Sequence, residues 1–88
     1  MRIKEGFIIK KLGDGFVVVT VGEASKDFNG MIRLNPTGAF LWGSIQNGAD
    51  SREKLVKAML ERYDDLDENT AGEDLDEFLN TVAFALEA

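Results

Sequence analysis

Hydrophobic side chains fall in two rhythms along this chain. Up to Leu34 they come in short runs bounded by glycine, and beyond Pro36 they recur every three or four positions. Phe7-Ile8-Ile9-Lys10-Lys11-Leu12 and Phe16-Val17-Val18-Val19-Thr20-Val21 are rich in β-branched and aromatic residues and flank Gly13-Asp14-Gly15. That pattern predicts an antiparallel hairpin with strands over about residues 6–12 and 16–21. The unbroken apolar run Phe16 to Val19 predicts burial on both faces. Gly22 to Phe28, of mixed polarity, reads as a small loop or bulge. Asn29-Gly30 can supply the positive φ angles of a tight turn, after which Met31 to Leu34 returns as a third, short strand.

The second half reads as helices. Asn35 is a good N-cap and Pro36 sits where its missing N–H costs nothing, so a helix is predicted over residues 36–46. Phe40, Leu41, Trp42 and Ile45 make much of its surface apolar, which places it deep in the core. Asn47-Gly48 ends it. Asp50-Ser51-Arg52-Glu53 resembles a capping box and opens a helix over 51–63, with Leu55, Val56, Met59, Leu60 and Tyr63 on one side. Asp67 or Thr70 caps a last helix over about 68–87. There Ala71, Leu75, Phe78, Leu79, Val82, Ala85 and Leu86 share one broad arc. Phe84 lies off that arc and reads as a fraying end or an oligomer contact. The order of three strands and three helices predicts a single α+β domain over residues 1–88. Its arrangement is winged helix-turn-helix-like, with the three-stranded antiparallel sheet at the N-terminus.

Composition removes most chemistry. The chain has no cysteine and no histidine, so thiolate metal sites, disulfides and the usual general base are absent. Ser25, Ser44 and Ser51 have no histidine to activate them. Gly13-Asp14-Gly15 lacks the lysine and helix of a phosphate-binding loop. Asp65 to Asp76 places oxygen ligands like a calcium loop, but Thr70 stands where glycine is needed and Asp76 where a bidentate glutamate is needed. The expectation is no enzyme, no metal and no cofactor. No signal peptide or run long enough for a membrane helix is present, so the protein is expected to be cytoplasmic and not to bind membrane.

Charge is distributed unevenly. Residues 1–44 carry six basic and four acidic residues, residues 45–88 four basic and twelve acidic, and the net charge is −6. No basic residue follows Arg62. A winged helix that binds DNA needs Lys or Arg on its recognition helix, whereas the last helix here carries Glu73, Asp74, Asp76, Glu77 and Glu87. Phosphates would repel it, so nucleic-acid binding is not expected. The acidic half reads as a solvated helical face that keeps the protein soluble, the alternative being attraction of a partner surface that carries Lys and Arg.

A short third strand that breaks directly into a capped helix leaves one sheet edge with little sequence to cover it. Such an edge is a template for a further strand, and an apolar helix beside it makes a groove. The alternatives are an edge blunted by a loop and a structural or regulatory module that forms a homodimer through the edge or through Phe84.

The run Phe28-Asn29-Gly30-Met31-Ile32-Arg33-Leu34-Asn35-Pro36-Thr37-Gly38-Ala39-Phe40-Leu41-Trp42 resembles the PqqD-like family, also called RiPP precursor-peptide recognition elements. The resemblance continues in Leu55-Val56, Leu60 and Tyr63 and in Thr70 to Leu79. It implies a domain that binds the leader segment of a ribosomally made precursor peptide. The leader would lie antiparallel against the third strand and pack on the last helix. The resemblance also implies delivery to a modifying enzyme, such as a radical S-adenosylmethionine protein or a protease. Carried over by position, Met31, Ile32, Arg33 and Leu34 form the pairing strand. The helix wall comes from Asp74, Leu75, Phe78, Leu79 and Val82.

Overall fold

The computed structural model describes residues 1–28 and 30–87, Asp27 by its backbone alone. In chain order the elements are β1 (Arg2–Ile3), β2 (Phe7–Leu12), β3 (Gly15–Thr20), α1 (Ala24–Asp27) and β4 (Met31–Leu34). They continue with α2 (Pro36–Gln46), α3 (Arg52–Arg62), α4 (Glu68–Thr81), a 3₁₀ turn over Ala83–Ala85 and β5 (Leu86–Glu87). The three-strand, three-helix α+β plan is therefore present, with four short additions: β1, α1, the 3₁₀ turn and β5. The expected Asn29-Gly30 turn involves Asn29, which lies outside the described residues.

β2, β3 and β4 form an antiparallel sheet in that order, so β4 is an edge strand. The ladder sets Ile9 opposite Val18 and Val18 opposite Ile32, and Phe16 opposite Leu34. Alternation puts these residues on the face that meets the helices, where Val18 and Leu34 are buried. On the other face Val17 lies between Lys10 and Arg33 across the ladder and is also buried. Long basic side chains can shelter an aliphatic neighbour along their stems. The run Phe16 to Val19 is thus enclosed on both sides at its centre, as its composition predicts, although only one side is covered by helices.

The core joins the inner sheet face to α2, α3 and α4 through Leu41, Trp42, Ile45, Leu55, Met59, Ala71, Leu75 and Phe78. Caps fix the helix starts. Asn35 accepts a hydrogen bond from the Gly38 N–H at 2.7 Å, Ser51 from the Lys54 N–H at 3.2 Å, and Asp67 from the Thr70 N–H at 2.7 Å. Asp67, one turn before Thr70, is the cap that the last helix uses. Residues 68–76 of the calcium-like window are accordingly helical rather than a loop.

Two expectations are corrected. Gly22 to Phe28 is not simply loop, because Ala24–Asp27 makes one helical turn. The last helix stops at Thr81 instead of about residue 87. Its stop has a physical cause at the chain ends. Leu86–Glu87 pairs antiparallel with Arg2–Ile3, and the Lys4 N–H donates to the Ala85 carbonyl at 2.8 Å. Arg2 also meets the Glu87 carboxylate at 2.6 Å. The 3₁₀ turn carries Phe84 onto Phe28, with ring centroids 4.4 Å apart and nearly parallel, and 5.4 Å from Phe7. Phe84 is therefore packed within the chain rather than fraying.

Three acidic residues with defined partners contribute to the acid sensitivity of this fold. A hydrogen bond from Arg52 holds the Asp76 carboxyl below its ordinary pKa, Lys54 does the same for Asp50, and the Thr70 amide for Asp67. A carboxyl with a lowered folded-state pKa stabilises above its unfolded value, and that stabilisation disappears as pH falls through the folded value. The melting temperature is therefore expected to hold from neutral pH down to about pH 4 and to fall below it. Arg52→Ala should flatten part of that acid decline, which thermal melts over a pH series would read.

Candidate functional site

The Leu34-to-Leu41 stretch builds one side of the site. Leu34 ends β4 with its side chain buried, and Asn35 and Pro36 start α2 immediately. Gly38 is buried in the first turn, where a Cβ would come within 3.3 Å of the Leu34 side chain and of Asn35 Oδ1. Its missing side chain lets the helix start press onto the strand end while the cap stays made. One turn later Leu41 lies fully buried beneath.

α4 supplies the other side. Asp74, Glu77, Phe78 and Thr81 follow at spacings of three, four and seven, which makes one helix face. Between that face and residues Arg33 to Leu41 runs an open groove of about 290 Å³. Its floor is apolar, from Leu34 and Phe78 over the enclosed Leu41, and its walls are polar, from Thr37, Asp74, Glu77 and Thr81. At its rim lies β4, which pairs with β3 alone among the described strands.

Of the nine residues taken from sequence as peptide-binding, Arg33, Leu34, Asp74 and Phe78 line this groove. Ile32 lies on the inner sheet face and is half-buried, while Met31 is exposed on the outer face, at 57%. Both still contribute backbone to the edge. Leu79 is half-buried against the core, and Leu75 and Val82 are completely enclosed. Those last two brace α4 from behind and present no surface to a ligand. Sequence reasoning missed Glu77, Thr81, Thr37, Asn35, Gly38 and Leu41, although Asn35, Gly38 and Leu41 stand in the quoted motif.

A larger cleft of about 750 Å³ lies between α3 and α4, where Val56 and Leu60 sit among Arg52, Glu53, Lys57 and Glu73. Arg52 and Asp76 hold each other there at 3.0 Å. A Cβ at Gly72 would fall 2.8 Å from the Arg52 guanidinium, so glycine makes that approach possible. This cleft has no open strand at its rim. The smaller groove does.

The family model for coenzyme PQQ synthesis protein D (PqqD) matches residues 15–83. The chain belongs to the PqqD family. Among solved structures, "TbiB1 in Complex with the TbiA(beta) Leader Peptide" has the same fold, with a TM-score of 0.74 and 23% identity. The similarity covers 96% of this chain and 90% of that one. No protein of curated function matches. The PqqD match takes in β3, the β4 edge, α2, α3 and α4, and so contains every residue of the groove. No described helix is long and apolar enough to cross a membrane.

Proposed function

We propose that this PqqD-family chain is a non-catalytic peptide chaperone. It binds the leader segment of a ribosomally synthesised precursor peptide as an added strand along β4. It then delivers the peptide to a modifying enzyme, a radical S-adenosylmethionine protein or a leader peptidase. The observation that carries this reading is the open edge of Met31–Leu34 beside a groove floored by Leu34 and Phe78. Backbone groups on the edge supply affinity without regard to sequence, and the groove supplies preference for particular side chains. The TbiB1 structure, solved with a leader peptide, supports the reading because its fold is shared along nearly the whole chain.

A non-catalytic role fits the side chains available. The sequence has neither histidine nor cysteine, and the groove carboxylates Asp74 and Glu77 are open to solvent. The direct test is calorimetric titration with the leader halves of peptides encoded next to this protein. Binding of one leader at about micromolar affinity is expected, in the range of modest peptide–edge complexes. If none of the adjacent peptides binds, the proposal fails.

A second reading follows from the same edge. Two copies could pair through β4, where Met31 is 57% exposed. Sedimentation across concentration separates the two: a dimer using this edge should dissociate when peptide is added.

A further inference from the structure

We infer that the groove selects an extended peptide carrying Lys or Arg on the side chains that face α4, with Asp74 and Glu77 as the selecting residues. This rests on the strand-addition reading and specifies its occupant. The site is the groove and its open edge, and the carboxylates decide which strand fits there.

Two acidic residues near the groove's helices have basic partners. Asp76 is held by Arg52 and Asp50 by Lys54, each in a short ion pair. Asp74 and Glu77 line the groove and form no ion pair among the described residues. The last turn of α4 carries no basic residue to offset its negative end, and that turn contributes Phe78 and Thr81 to the groove. The negative field continues beyond Asp74. Asp74 and Thr37 also border an adjoining hollow of about 490 Å³, which holds Asp64 and Asp65 over Met59 and Leu66. Arg62 stands in that hollow, but its guanidinium lies over the rings of Phe40 and Tyr63, 5.2 and 5.9 Å from their centroids.

Strand alternation makes the preference positional. Side chains of an added strand point alternately to the two faces of the sheet. One set meets Phe78, Asp74 and Glu77; the other lies over the outer face beside Met31 and Arg33, and Arg33 also borders the groove, where its charge offsets one of the two carboxylates. A basic residue in the first set has carboxylates for its head and apolar floor for its stem. A basic residue in the second set meets Arg33. The expected signature is therefore Lys or Arg confined to one parity of the bound segment, rather than a high overall positive charge.

The test is selection of a displayed library of random peptides on the wild-type chain. It is repeated on Asp74→Asn/Glu77→Gln, on Asp74→Lys/Glu77→Lys, and on the variant with proline at Ile32 or Arg33 that remains folded. Both wall residues are exposed, so these substitutions leave the core untouched. Wild type should enrich peptides with basic residues at one parity. Neutralising the pair should weaken those peptides about three- to tenfold, with added salt reducing the difference. The Lys variant should turn the preference to Asp and Glu. Peptides that need β4 but show no basic bias, or that survive neutralisation unchanged, would overturn this inference and leave strand addition standing. Selection yielding only peptides indifferent to proline in β4 would overturn both.

Discussion

Proline at one of two neighbouring positions, Ile32 or Arg33, is expected to weaken leader binding strongly while the domain stays folded. Successive residues of a strand direct their backbone N–H and C=O groups to opposite sides. In β4 one side is taken by β3, so one of these two residues uses its N–H inside the sheet and the other presents it at the open edge. Proline at the inward position removes a ladder bond and should lower the melting temperature. Proline at the outward position removes a donor from the binding edge and sets its ring where the incoming strand must lie. Losing one or two backbone hydrogen bonds, at about 1 kcal/mol each, predicts a fall in affinity of about five- to thirtyfold, and the ring's clash with the incoming strand adds to it. Trp42, fully buried between α2 and the rest of the core, reports by its emission whether each variant is folded. A folded proline variant at each position that binds leader as wild type does would remove the basis for strand addition.

The second large effect is on stability. Leu75→Ala is expected to destabilise the domain by about 2–5 kcal/mol, the loss seen when a fully buried leucine leaves a cavity. A domain of this length has a total stability of only about 4–13 kcal/mol, so much of the population could unfold. Leu75 touches α4 and the core from within, at zero exposure, and does not line the groove. Its substitution should therefore move the urea midpoint strongly and leave the affinity of the folded fraction nearly unchanged. Phe78, which reaches both core and groove, should lose stability and affinity together.

The contrast between Leu75 and Asp74 shows what the sequence could reveal and what it could not. Strand and helix positions were legible because turn glycines, caps and apolar spacing agree over Phe7 to Phe78. The edge strand was legible for the same reason: Leu34-Asn35-Pro36 leaves no residues with which to cover it. The groove face of α4 was harder to read. Apolar periodicity finds the stripe that the core buries, so it led to Leu75 and Val82, which are enclosed. The wall of a polar-sided groove lies on the flank of that stripe, and only Asp74 and Phe78 were placed there from sequence. Glu77 and Thr81 carry no apolar signal, although their spacing from Asp74 and Phe78 puts them on one face.

The C-terminus illustrates a different limit. Helical spacing continues past Thr81 through Ala85 and Leu86, and nothing in it signals a stop. What ends α4 is non-local: the Lys4 amide donates to Ala85, Arg2–Ile3 pairs with Leu86–Glu87, and Phe28 stacks on Phe84. Local periodicity gave way to partners more than fifty residues distant.

Hydrogen exchange at the β4 amides, with leader peptide at saturation, tests the central claim most directly. The account predicts slowed exchange at alternate amides within Met31–Leu34, because only every second N–H faces an added strand. Exchange rates along those four residues identical with and without bound leader would contradict it.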